Sequence, residues 1–129
     1  MYNPVQQFFF CVANRDISGV LETVTDNAVF EAQGPETVPI YGRFEGKQGV
    51  EKFVNTLFEL FDTEAFEIYQ WAFADDFVFA YGYLRHRVRQ TGKVFKSEWS
   101  LVCRLKGDRI SAYKMFEDTD ALRSAYTQQ

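Results

Sequence analysis

The order of hydrophobic patterns in this sequence predicts an α+β fold: a cone-shaped, strongly curved mixed or antiparallel sheet whose concave face is covered by N-terminal helices. Apolar residues recur at helical spacing in the first sixty positions. From about residue 65 they alternate with polar ones at the period of a strand, and "ADD", "QTGK" and "KGD" punctuate that region as tight turns do. Helices first and a meander afterwards is the α+β order. With 129 residues, 47% of them hydrophobic, the chain can bury one core and is too short for two, so 1–129 is expected to form one domain.

Val5, Phe8, Phe9 and Val12 stand at i, i+3, i+4 and i+7, with Pro4 suited to a first helical turn. Asp16 or Ser18 then caps a second helix with Val20, Leu21 and Val24 on its apolar face, and a short strand follows near 28–32. Residues 33–49 hold four glycines and two prolines and read as a long irregular loop with one strand fragment at most. Val50, Phe53, Val54, Leu57, Phe58 and Phe61 mark a third helix. Strands are expected over 65–73, 77–89, 94–105 and 109–117, after which Asp118 or Thr119 caps a last helical turn.

The strand over 94–105 has one clearly interior face, Phe95, Ser97, Trp99, Leu101, Cys103 and Leu105. In the last strand Lys114 is hard to bury, which turns Tyr113, Met115 and Glu117 inward and leaves Asp118 outside as a cap. A three-residue hairpin at Thr91–Lys93 puts Arg85 opposite Trp99, Tyr83 opposite Leu101 and Tyr81 opposite Cys103, all inside, with His86, Leu84 and Val88 outside. A two-residue turn pairs Arg85 with Glu98 on the outside, and composition does not choose between them.

The stretches "VPIYGRFEGKQGVEKFV", "TGKVFKSEWSLVCRLKGDRI" and "FEDTDAL", in this order, resemble the nuclear transport factor 2-like superfamily, in particular its SnoaL-like and ketosteroid isomerase-like branch. The resemblance spans nearly the whole chain. It implies a cone-shaped α+β roll, an apolar pocket and homodimerisation through the outer sheet face. It does not carry over the isomerase chemistry, because the positions matching that branch's tyrosine and two aspartates hold Phe8, Ala32 and Leu101. The position best matching the acid of the SnoaL-like cyclases holds Met115, two residues short of Glu117.

Fourteen phenylalanines and seven tyrosines are many for this length. Such a set either fills a large core or lines a cavity for an apolar ligand, and a small apolar molecule is the expected partner. Phe8, Ala32, Tyr81, Tyr83, Trp99, Leu101, Cys103, Tyr113 and Met115 are the candidate lining. Glu117, desolvated, is the candidate acid or base, and Arg85 its electrostatic partner. A structural ion pair between the two is the competing account.

A formal charge of −4 without a basic stripe argues against nucleic acid. There is no apolar run of membrane-spanning length and no signal-like N-terminus, so a cytoplasmic location is expected. Two distant cysteines, Cys11 and Cys103, and one histidine, His86, give no metal-ligand spacing. Neither a metal nor a cofactor is expected. Whether the protein is a carrier, an enzyme or an interaction domain is left open by the residues alone.

Overall fold

A computed structural model of the chain describes residues 3–127. Its elements run α1 (Pro4–Ala13), α2 (Ile17–Glu22), β1 (Val24–Ala32), β2 (Gly42–Glu45), α3 (Gly46–Leu60), β3 (Phe61–Ala74), β4 (Phe77–Val88), β5 (Val94–Lys106), β6 (Arg109–Phe116) and α4 (Thr119–Tyr126). The six strands form one sheet in the order β2-β1-β6-β5-β4-β3. It is a mixed sheet: β1 runs parallel to β6 and every other pair is antiparallel. The sheet is not closed, since β2 and β3 are its two edges.

Local chemistry sets most boundaries. Asn3 accepts from the Gln6 amide and caps α1, Asp16 accepts from Gly19 at 2.9 Å and caps α2, and Asp118 accepts from Ala121 at 3.0 Å and caps α4. These side chains satisfy amides that a helix start leaves without partners. Two residues assigned to helix faces by periodicity belong to strands instead. Val24 pairs with Ile110 at the start of β1, and Phe61 pairs with Val88 at the start of β3. Both favour extended backbone, and the neighbouring strand offers a ladder that the helix end lacks.

The concave face carries the core. Phe30 stacks on Tyr113 with ring centroids 4.3 Å apart, and Phe8 from α1 and Phe53 from α3 meet both rings. Each such side chain, withdrawn from water, contributes about 2–3 kcal/mol. On β5, Phe95, Trp99, Leu101 and Cys103 all point inward and are fully buried.

β4 has the opposite face inward from that given by a three-residue turn. Five residues, Arg89–Lys93, connect β4 to β5, and the register pairs Arg85 with Lys96, Tyr83 with Glu98, Gly82 with Trp99 and Tyr81 with Ser100. The inner row is therefore Val78, Ala80, Gly82, Leu84, His86 and Val88, and the outer row contains Tyr81, Tyr83 and Arg85. A one-residue change in pairing parity exchanges the faces of a strand. Gly82 fits this register because a Cβ there would stand 1.9 Å from the Glu67 carbonyl oxygen and 2.6 Å from the Trp99 ring.

Candidate functional site

Between the concave face of the sheet, α1 and α3 lies a cavity of about 460 Å³. Its apolar wall comes from Phe8 and Phe9 of α1, Phe53, Leu57 and Phe58 of α3, and Phe61 and Phe66 of β3. Ala32, Tyr113 and Met115 line it from β1 and β6. The helical spacing that makes α1 and α3 amphipathic aims these rings at the sheet, and the curvature keeps them from filling all the space beneath them.

Glu117 lines the same cavity, one residue past β6, where the alternation that points Tyr113 and Met115 inward continues. Its carboxylate accepts a hydrogen bond from the Tyr41 hydroxyl at 3.1 Å. Burial pushes the Glu117 carboxyl up to about 7, and the Tyr41 hydrogen bond holds it lower than burial alone would. Burial and the nearby Glu117 carboxylate raise the Tyr41 phenol well above its ordinary value, so Tyr41 stays a neutral donor. Tyr41 is placed by the irregular loop: its amide donates to the Val38 carbonyl at 3.0 Å, and Gly34 lies so close beneath its ring that a Cβ there would stand 2.5 Å from two ring carbons. Tyr41 and Glu117 stand 76 positions apart in the chain, so no local pattern in the sequence pairs them.

Tyr113 is almost wholly buried, burial raises its phenol far above the ordinary range, and among the described residues its hydroxyl has no hydrogen-bond partner. Farther along the cavity stands His86, whose ring stacks on Phe61 at 4.4 Å and whose Nδ1 lies 3.0 Å from Thr63 Oγ1. Burial lowers the imidazole to about 4, so it is neutral at physiological pH. Arg15 sits at the wall with its guanidinium over the Phe58 ring, 4.5 Å from its centroid.

Three of the candidate residues lie elsewhere. Arg85 is on the outer face, 2.7 Å from Glu64, which also binds Arg87 at 2.9 Å. It is therefore remote in direction from Glu117, and the expected pairing of the two is absent. Tyr81 is 44% exposed on the outer face and donates to Glu98 at 2.8 Å. Tyr83 shares that face, opposite Glu98. Leu84 and His86, read as outward, are inward for the same reason of register. Trp99, Leu101 and Cys103 are inward but form the packed layer behind the cavity, where Trp99 stacks on Phe66 at 5.0 Å. The Trp99 indole N–H is buried without a partner among the described residues, and burial pushes the Cys103 thiol far up. Cys11 and Cys103 are both free thiols.

Among the described residues no three His, Cys, Asp or Glu side chains come together as a metal site, and no helix is long and apolar enough to cross a membrane. What the cavity offers is a largely apolar chamber with the Glu117 carboxyl raised to about 7, two neutral phenols, one neutral imidazole and, at its wall, the side chains of Arg15 and Asp62.

The fold is shared with solved structures. An NTF2-like protein from Burkholderia xenovorans superposes with a TM-score of 0.89 at 19% identity, over 96% of this chain and 93% of that one. A protein with a ketosteroid isomerase-like fold from Catenulispora acidiphila, in complex with trimethylamine, gives 0.80 at 9% identity over 98% and 93%. TerC, co-crystallised with polyporic acid, gives 0.83 at 13% identity over 95% of each chain. At these identities the likeness is one of fold. Among curated proteins none matches the sequence. The family model of the SnoaL-like domain matches residues 5–113, most of the chain's length. This chain belongs to the SnoaL-like domain family and has the α+β fold of the NTF2-like superfamily.

Proposed function

We propose that the protein binds a small, largely apolar molecule in the cavity beneath α1 and α3. The observation that carries this reading is the chamber of about 460 Å³ walled by aromatic rings, with polar groups confined to a few points. That size and lining suit a compact organic ligand. Phe8, Ala32, Tyr113 and Met115 are the contacts expected among the residues singled out from sequence. Native mass spectrometry of protein purified from its own cells, before and after organic extraction, tests it. A retained ligand released by extraction supports the reading, and an empty cavity that takes up no apolar probe overturns it.

A second reading is favoured by one specific observation, the Tyr41–Glu117 pair with a carboxyl near 7. A carboxyl raised toward neutrality inside a largely apolar chamber suits proton transfer to or from a bound ligand. In this reading Glu117 acts as acid or base and Tyr41, not Arg85, is the group beside it. Loss of turnover in Glu117→Gln with ligand affinity kept would separate an enzyme from a carrier.

The outer sheet face is the proposed homodimer contact. Gln70, Tyr81, Ser100 and Phe116 lie in one register row across β3, β4, β5 and β6, with Tyr69 against Tyr81. Tyr69, Tyr81 and Phe116 are all exposed. A pairing domain that binds another protein would use the same row, and light scattering on the pure protein decides whether a second copy covers it.

A further inference from the structure

We propose that His86 is a second hydrogen-bonding point of the cavity, so that the ligand is an elongated molecule with an oxygen function at each end. One end meets Glu117 and Tyr41, and the other meets Nε2 of His86. This rests on the reading of the cavity as a ligand chamber and says what the ligand must carry.

The inner row of β4 is otherwise Val78, Ala80, Gly82, Leu84 and Val88, so packing alone asks for another apolar residue at 86. The imidazole is instead fixed on two sides. Phe61 stacks on its face, and Thr63 engages Nδ1 at 3.0 Å. Holding one ring nitrogen orients the other, which donates or accepts according to the tautomer. Among the described residues Nε2 has no hydrogen-bond partner and is not fully buried, and His86 lines the cavity. Two charged residues also line the cavity: Asp62, which pairs with Arg89 at 2.8 Å, and Arg15, whose guanidinium lies over the Phe58 ring.

The two polar points are well separated. β5 lies between the strands that carry them, which places them about 10 Å apart across the sheet and farther along it. Apolar wall fills the interval, including Leu84, Phe66 and Met115. Two fused rings with an oxygen at each end match that spacing better than a single ring.

The test uses 2-naphthol and 2,6-dihydroxynaphthalene as probes, titrated calorimetrically into the wild type, His86→Phe and Glu117→Gln. One further net hydrogen bond gives about a fivefold gain, so the diol is expected to bind the wild type about fivefold more tightly than the naphthol. In His86→Phe that gap closes, and in Glu117→Gln a gap between the probes persists. Equal affinity of the two probes for the wild type, or an unchanged gap in His86→Phe, overturns the inference while leaving the cavity reading intact. Binding of neither probe overturns the cavity reading and this inference with it. His86→Gln, which keeps a polar atom near the same place, is the control for folding and should retain part of the gap; a gap as small as in His86→Phe would count against a hydrogen bond.

Discussion

At Glu117 the environment, and not the residue type, decides the chemistry. Its carboxyl rises from 4.5 to about 7 because burial disfavours the anion. The folded state therefore holds more protons than the unfolded chain between those values, and this contribution to stability, complete below about 4.5, is lost as pH rises through 7. Glu117→Gln should remove that slope, leaving the variant roughly 2–3 kcal/mol more stable than the wild type at pH 8 in urea titrations. His86 has the opposite sign. Its pKa falls from 6.5 to about 4, so its contribution is present above 6.5 and lost as pH falls through 4. His86→Phe is expected to flatten the acid limb of the same stability profile. Tyr41 lowers the Glu117 value through its hydrogen bond, so Tyr41→Phe should raise the carboxyl pKa by about one unit, read by carbon NMR of the side chain. Gly34→Ala should do the same without removing the phenol, by displacing the ring from its seat.

At the scale of elements, the pairing of β4 with its neighbours is what assigns side chains to the cavity or to solvent. Gly82 marks that pairing. It lies where β3 is irregular between Ile68 and Gln70 and where the Trp99 indole needs its space. Gly82→Ala should cost about 2–4 kcal/mol, more than a methyl at an exposed strand position, because backbone and a fully buried indole would both have to move. Helix ends are cheaper. Asp118→Ala removes the cap of α4 and should cost about 1 kcal/mol in thermal or chemical unfolding. The face of β5 and that of β6 were legible because each has one plainly apolar side, and Lys114 settles the second. In β4 both faces are rich in aromatic and aliphatic residues, so the alternation does not discriminate and only the length of the turn does.

On the scale of the whole molecule, an open curved sheet and two amphipathic helices leave space that their side chains do not fill. Ala32 faces that space from β1. Ala32→Leu should reduce ligand retention by tenfold or more in native mass spectrometry while leaving the fold intact, since the added carbons enter the chamber and not packed core. Replacing Tyr69 and Phe116 together by Asp should convert a dimer to a monomer in light scattering, because both stand exposed on the outer face. A distribution of mass unchanged by the double substitution would place any self-association elsewhere.

The sequence by itself determined the α+β order, a helix start at Asp16 or Ser18 and another at Asp118 or Thr119, the inward faces of β5 and β6, and the inward turn of Glu117. These rest on contacts between near neighbours in the chain and on alternation, both of which a sequence displays. Only the tertiary structure decided that Tyr41 meets Glu117, that His86 looks into the cavity and that Arg85 looks away from it. Those outcomes depend on how a flexible loop seats a ring 76 positions away and on the parity of one hairpin register, and neither is fixed by local propensity.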